Sequence, residues 1–175
     1  MKQVYKIPCS LLFFLFSQCL YAAQTETTFV YVGSTEHSAY SGLSRGLVEA
    51  NLQGQFLGQK YQINIFADAA ELAANSGLPL VIVAAVDTEE LLVIRNANRY
   101  TAILNLVAED DSLRSACLGN ILSIIPSKKM LGDAISQWRQ KHPESVAIAA
   151  AWHEDFVKFA ARDLNKRYRK TFDKG

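Results

Sequence analysis

The chain has 175 residues, half of which are hydrophobic, and its formal net charge is +1 at pH 7. This length is sufficient for one domain with a proper hydrophobic core. The nearly neutral charge argues against nucleic acid as the main partner, because nucleic-acid-binding domains carry a strong basic excess.

The first 23 residues follow the three-part pattern of a secretory signal peptide. A short basic start precedes the mostly apolar stretch Ile7–Leu20, and the small residues Ala22 and Ala23 follow it. This stretch is shorter than the roughly 20 residues that span a bilayer, which disfavours a permanent anchor. We therefore expect a cleaved signal peptide over 1–23, a single domain over 24–175 and a location in the periplasm.

Cleavage would leave Cys117 as the one cysteine of the mature chain, because Cys9 and Cys19 precede the cleavage site. A single cysteine cannot form an intramolecular disulfide, and such a residue is most often a small buried hydrophobe. A reactive thiol or an intermolecular disulfide is the alternative. We disfavour it because no histidine or lysine lies nearby in sequence to activate the thiol.

The first predicted elements form a strand–helix–strand unit. Thr28–Val32 is rich in β-branched and aromatic residues and predicts a strand. Apolar residues then recur every three or four positions from Tyr40 to Ala50, which predicts a helix, and Asn51 and Gly54 suit a left-handed cap at its end. Tyr61–Phe66 alternates apolar and polar residues, as a half-buried strand does. This unit is typical of doubly wound α/β proteins.

The middle of the chain repeats this alternation. Leu80–Val86 is a continuous apolar run, as expected for a strand covered on both faces of a parallel sheet. Asp87 follows it with Glu90 three residues later, which is the spacing of a helix cap. The remaining elements predicted here are helices at Ala69–Asn75 behind Asp68, Thr88–Ala97, Leu113–Leu118 and Lys128–Lys141, and strands at Thr101–Val107 and Asn120–Ile125.

Two more elements are predicted at the carboxyl-terminal end. Ser145–Ala151 is a short apolar run after Pro143 and predicts a last strand, with a helix as the alternative because of its alanines. Glu154–Lys170 carries an apolar stripe and predicts a helix whose basic end complements the helix dipole. The predicted fold is therefore α/β, with a doubly wound, mostly parallel sheet in a single domain.

Several residues in this order resemble those of a known family. Glu49–Asn51, Gly54 and Leu57-Gly58, with a strand that ends near Asp68, look like the first helix and second strand of type I periplasmic solute-binding proteins. These are the Leu/Ile/Val-binding receptors of ABC transporters. The stretch Ala151–His153 looks most like their branch associated with PQQ-dependent alcohol oxidation.

The resemblance implies a flavodoxin-like lobe of an exported receptor, with an inner-membrane ABC permease or a periplasmic dehydrogenase as its protein partner. Two departures from the family pattern put ligand capture between two lobes in doubt. The chain has room for one lobe and a fragment, and Ala84–Asp87 stands where the family has Gly-Pro. Pairing of two copies to rebuild a cleft, as a homodimer, is a hypothesis that the missing lobe suggests.

Candidate ligand-binding residues lie where ligands bind open parallel sheets, beyond the carboxyl ends of the strands. Hydroxyl groups and helix N-termini there suit a carboxylate, acidic side chains suit an amine, and an aromatic ring provides an apolar wall. Ordinary helix capping is the alternative role for such residues. The candidates are Ser34, Thr35, Thr88, Glu109, Asp110, Trp152 and His153.

The sequence contains no motif that indicates catalysis or a cofactor. It has no Gly-x-Ser-x-Gly elbow and no phosphate-binding glycine loop. Glu109–Asp111 lacks a calcium-loop pattern, and the three histidines lack metal-ligand spacing. We therefore expect no enzyme activity, no metal and no cofactor, and a small polar solute such as an amino or organic acid as the ligand.

Two other functions remain open from the sequence. One is a structural or interaction protein of the periplasm, a trimmed lobe that has lost ligand binding and docks a partner. Its docking surface would be an exposed sheet edge or the basic end of the last helix. The weaker alternative is a small hydrolase that uses the loops around His37 or His153.

Overall fold

The computed structural model describes residues 25–75, 77, 79–153, 156, 158 and 161–172, and within them five parallel strands form one sheet. The strands are β1 (Thr25–Gly33), β2 (Gln59–Phe66), β3 (Val81–Ala85), β4 (Ala102–Asn105) and β5 (Ile121–Ser123). The helices are α1 (Ser38–Leu57), α2 (Ala69–Asn75), α3 (Thr88–Ala97), α4 (Ser112–Ser115), α5 (Lys128–Lys141) and α6 (Ala161–Phe172). The strand order is β2-β1-β3-β4-β5. This confirms the predicted α/β class with a doubly wound, flavodoxin-like sheet; the predicted signal peptide lies outside the described residues.

The two faces of the sheet are covered to different extents. On one face, α2, α3 and α4 bury the main core, which includes Val32, Leu72, Ile82, Leu91, Ile94, Ile103 and Leu113. On the other face, α1 covers a smaller cluster around Tyr31 and Val83. Leu122 of β5 pairs in register with Leu104 on that second face, and its side chain is 54% exposed. The second face is therefore covered over β1–β3 and open over β5.

Helix α1 ends later than the sequence predicts. It continues through Asn51 and Gly54 to Leu57, and Gly58 caps it with a left-handed φ of 65° and a backbone N–H that donates to the Gly54 carbonyl. The cap predicted at Gly54 is therefore wrong by four residues. Gly54 lies inside the helix, where the close approach of the following strand leaves no room for a side chain. A Cβ on Gly54 would lie 2.4 Å from the carbonyl oxygen of Gln59, where the chain returns along the helix.

Asn51 joins α1 to β2 rather than ending the helix. Its Nδ2 donates to the Tyr61 carbonyl at 2.9 Å, and its Oδ1 accepts from the Tyr61 backbone N–H at 2.8 Å. These two bonds satisfy a backbone donor and a backbone acceptor at once, which fixes the register between helix and strand.

The predicted helix caps are confirmed. Asp68 Oδ1 accepts from the Glu71 backbone N–H at 2.8 Å, and Asp87 Oδ1 accepts from the Glu90 backbone N–H at 2.9 Å. The Glu90 carboxylate does not return to Asp87, and it accepts instead from the Ala69 backbone N–H at 2.8 Å. The starts of α2 and α3 are thereby linked.

The predicted last strand and last helix both need correction. Ser145–Ala151 forms no strand, because a strand requires a hydrogen-bonded neighbour and none of the described strands lies beside it. Helix α6 begins at Ala161 rather than at Glu154, which lies outside the described residues. Arg167 Nε contacts Glu49 Oε1 at 3.0 Å and so joins α6 to α1.

The region after β5 packs loosely. Helix α5 buries none of its residues, although it is amphipathic, and Trp138 is 51% exposed. Cys117, expected to be a small buried hydrophobe, is exposed and has a φ of 50°, because it lies in the turn after α4. No helix within the described ranges is both long and apolar enough to cross a membrane.

Candidate functional site

The candidate site lies where the chain leaves β1 and β3 in opposite directions. These two strands are neighbours, with Gly33 in register with Ala85. From β1 the chain passes to α1 on one face, and from β3 it passes to α3 on the other. Such a divergence opens a crevice beyond the carboxyl ends of the strands, which is where flavodoxin-like sheets bind ligands.

Gly33 permits the close approach of the two strands at the base of this crevice. Its φ is 137°, and a Cβ there would lie 2.6 Å from the Ala85 carbonyl oxygen. Tyr31, fully buried below it, donates its hydroxyl hydrogen to the Ser34 carbonyl at 3.0 Å. Burial, with a smaller contribution from Tyr40, raises the Tyr31 pKa. The phenol therefore remains a hydrogen-bond donor that holds the loop after β1.

The loop after β1 ends in a histidine that caps a long helix. Ser34 Oγ accepts from the Glu36 backbone N–H at 3.1 Å, and His37 Nδ1 accepts from the Ala39 backbone N–H at 3.0 Å. Ser34 and Thr35 are both exposed. The first turn of α1 contains no acidic side chain, so the positive end of its dipole is not neutralised there.

The loop after β3 and the helix turn that follows it carry more negative charge. Asp87 caps α3, and Glu89 and Glu90 lie in its first turn. Thr88, half-buried, is the first residue of the helix. Three carboxylates at a helix N-terminus offset its dipole and leave excess negative charge. The two sides of the crevice therefore differ, with the start of α1 suited to an anion and the start of α3 to a cation.

Asn105 shapes the loop after β4. Its fully buried side chain donates to the Ala108 carbonyl at 2.7 Å and to Ser123 Oγ at 3.0 Å. Its Oδ1 accepts from the backbone N–H groups of Val107 at 3.1 Å and Ala108 at 2.8 Å. The single side-chain amide of Asn105 thus pairs with the backbone polar groups of the turn that leads to Glu109.

The three acids after β4 have different local roles. Asp110 Oδ1 accepts from the Ser112 backbone N–H at 2.8 Å, and its hydrogen bonds with Ser112 lower the Asp110 pKa. Asp111 Oδ1 accepts from the buried hydroxyl of Ser127 at 2.8 Å. Within the described part of the chain, the half-buried Glu109 carboxylate has no hydrogen-bond or ion-pair partner. Of the three, Glu109 is the acid that can bind a ligand without first losing a hydrogen bond.

The sheet brings five of the seven candidate residues to one edge. These are Ser34, Thr35, Thr88, Glu109 and Asp110, which lie in loops after the adjacent strands β1, β3 and β4.

Trp152 and His153 lie on a separate part of the chain. They follow the segment that runs along α5, and Trp152 is 58% exposed. Among the described residues, no hydrogen bond or ring contact joins Trp152 to the edge loops.

The sequence interpretation missed three residues that shape the site. Gly33 and Asn105 each carried a signal: one is a glycine directly after a strand, and the other is a polar residue within an apolar run. Tyr31 carried none, because its hydroxyl could point to either face of the sheet.

Two open cavities of the described chain include none of the candidate residues in their lining. One of about 500 Å³ lies beside β5 and includes Arg114 and Cys117 in its lining, and one of about 470 Å³ lies between α5 and residues 146–149. Within the described ranges, no group of three or more histidine, cysteine, aspartate or glutamate side chains is placed to hold a metal ion.

No family model matches the chain, and neither a curated protein nor a solved structure matches it.

Proposed function

We propose that this protein binds a small polar solute, an amino or organic acid, at the crevice between β1 and β3, and performs no covalent chemistry on it. The observation that carries the proposal is the strand order β2-β1-β3-β4-β5. Successive strands are added on one side of β1 and then on the other, so the direction of winding reverses between β1 and β3. In sheets of this order the ligand lies at that reversal. Ser34, Thr35 and Thr88 follow these two strands, and Glu109 and Asp110 follow the next strand, β4, at the same edge of the sheet.

The charges of the two loops favour a solute that carries both an anionic and a cationic group. The start of α1, with the exposed hydroxyls of Ser34 and Thr35, suits a carboxylate because no acid occupies its first turn. Asp87 and the Glu109 carboxylate, which is unpaired within the described residues, suit an ammonium group. An amino acid satisfies both sides, whereas a dicarboxylate would meet the acids at the start of α3.

We further propose that the protein acts outside the cytoplasm, in the periplasm, beside an ABC permease or a dehydrogenase of an alcohol-oxidation system. Two observations support this proposal. The first 23 residues follow the pattern of a secretory signal peptide, and residues around α1 resemble those of type I periplasmic solute-binding proteins. A single lobe would present the solute from one side, so a second protein surface would have to complete its enclosure.

A thermal-unfolding screen of the full chain against amino acids, organic acids and amines tests the proposal. A ligand at a hundredfold excess over its Kd should stabilise the protein by about 2.7 kcal/mol. Thr35→Val keeps the shape of the side chain and removes the hydroxyl, so it should weaken the response. Ser136→Ala is the matched control, because that hydroxyl lies on α5 and donates to the Gly132 carbonyl. No response to any compound, or an equal loss in both variants, would contradict solute binding at this edge.

A second candidate function, docking of a protein partner, is favoured by a separate observation. Helix α5 buries no residue, and Val146 and Ile148 beside it are 94% and 90% exposed. Soluble monomers rarely leave a contiguous apolar surface of this kind uncovered. Such a protein would show no response in the solute screen and would associate through this surface instead.

A further inference from the structure

The last apolar run of the chain is built like a strand but has no neighbour. We call Ser145–Ala150 the open strand. Its residues alternate strictly in burial: Ser145, Ala147 and Ala149 are half-buried, whereas Val146, Ile148 and Ala150 are exposed. A period of two is the mark of an extended chain with one face against a support.

Helix α5 is the support of the open strand. Trp138 Nε1 donates to Ser145 Oγ at 2.9 Å, and the Ser145 backbone N–H donates to the His142 carbonyl at 3.0 Å. The Trp138 ring also lies 4.2 Å from the His142 ring, centre to centre. Ala134 and Ile135 line the groove between the helix and the open strand. One face of the open strand is thus held in place, and the other faces solvent.

The backbone of the open strand offers hydrogen bonds along its length. Within the described part of the chain, no backbone–backbone hydrogen bond involves residues 146–152. An extended segment with exposed Val146 and Ile148 side chains and unpaired N–H and C=O groups is a template for another strand. Addition of a strand at such an edge is a common mode of protein recognition.

We propose that the open strand pairs antiparallel with the open strand of a second copy, with Ile148 opposite Ile148 on the two-fold axis. This inference rests on the docking function and not on solute binding. In this register Val146 lies opposite Ala150 and Ile148 lies opposite its copy, so the exposed side chains gain apolar contacts across the two strands. The two supporting α5 helices then lie on the same side of the new two-stranded ribbon.

Charge favours this partner and this direction. Ser145–Ala150 contains no charged residue, and Glu144 directly precedes it. Parallel pairing would place Glu144 beside its copy, whereas the antiparallel register places it opposite Trp152.

The other open edges of the described chain fit less well as partners for the open strand. The edge strand β2 carries the polar residues Lys60, Gln62 and Asn64, and β5 is only three residues long. An identical open strand matches in length, apolar pattern and lack of charge.

Sedimentation of the full chain over a range of concentrations tests the pairing, with a dimer that dissociates on dilution as the expected result. Ile148→Lys would place two lysines together on the axis and should weaken the dimer roughly tenfold or more, since tenfold corresponds to about 1.4 kcal/mol. Val93→Lys is the matched control, because Val93 is 59% exposed on α3 and away from the open strand. Circular dichroism checks that both variants keep the fold.

Cysteine cross-linking tests the register. In a chain whose three native cysteines are changed to serine, Ile148→Cys should form a disulfide-linked dimer on oxidation. Val146→Cys should not, unless Ala150→Cys is also present. A monomer at all concentrations, a dimer unaffected by Ile148→Lys, or binding of the open strand by a different protein alone would overturn the proposal.

Discussion

Two glycines of α1 should respond to alanine in opposite directions. Alanine in place of glycine in a helix interior stabilises a protein by about 0.5–1 kcal/mol, because the unfolded chain loses freedom. At Gly46 an added Cβ would meet nothing within 4 Å, so the full gain is expected. At Gly54 the same atom would lie 2.4 Å from the Gln59 carbonyl oxygen and 3.2 Å from its carbon.

The contact at Gly54 involves backbone, so no side-chain rotation can relieve it. Helix α1 and the start of β2 would have to separate by about 1 Å to reach an ordinary contact distance, and overpacking of this kind costs about 1–3 kcal/mol. Two hydrogen bonds between Asn51 and Tyr61 resist that separation. After the propensity gain is subtracted, Gly54→Ala should destabilise the protein by up to about 2.5 kcal/mol.

Urea unfolding at equilibrium measures both changes. For a domain of this size the m-value is about 1–3 kcal/mol per molar urea. The midpoint of Gly46→Ala should therefore rise and that of Gly54→Ala should fall, with the two separated by about 1 M at an unchanged m-value. If Gly54→Ala raised the midpoint as Gly46→Ala does, the close approach of α1 to β2 would be wrong.

Two further predictions concern the candidate site. Asn105→Ala should lower the free energy of unfolding in urea by about 3 kcal/mol, because it leaves buried backbone groups of the β4 loop unpaired. Asn64→Ala is the control, since Asn64 is exposed and its loss should change the unfolding midpoint little. Equal effects of the two substitutions would contradict the role given to Asn105. The raised Tyr31 pKa means that its contribution to stability is complete below pH 10.0, the ordinary tyrosine value, and is lost as the pH rises through the folded pKa. In an alkaline absorbance titration, Tyr31→Phe should remove a late-titrating phenol. Removal of an early-titrating phenol by this substitution would contradict the burial of Tyr31.

The sequence predicts the strand-and-helix alternation through α5 because local signals dominate there. The apolar run that becomes β3 is recognisable without its neighbours, since a strand buried on both faces has few polar residues. Asp68 and Asp87 cap their helices through backbone groups three residues away, so the signal and its partner are in the same short stretch.

The errors arise where the deciding contact is distant in sequence or absent. Gly54 is a residue type that often caps a helix in the left-handed conformation, yet its role here is to leave space for the Gln59 backbone. The sequence alone does not distinguish a capping glycine from one that permits close packing. The run Ser145–Ala151 has the sequence pattern of a strand, and Ser145–Ala150 also has the alternating burial of a strand. Whether it becomes part of a sheet depends on a neighbouring strand, which its own residues do not specify.

The candidate site was predictable in position and not in detail. Parallel strands place the ends of β1, β3 and β4 together, so loop residues such as Ser34 and Glu109 follow from the topology alone. The four hydrogen bonds of Asn105 depend on how the chain folds back after β4. The separation of Trp152 from this edge depends on where the last third of the chain lies, which no local pattern determines.

The loose packing of α5 has a consequence for how the native state opens. Local opening costs little where few apolar contacts are lost, and costs the full unfolding free energy where the core is lost. Strands β1 and β3, with their buried side chains, should therefore exchange amide hydrogens only through global unfolding, whereas α5 and the open strand should exchange much sooner. We expect residues 128–153 to open before the sheet does, so association through the open strand would appear first as protection of these amides.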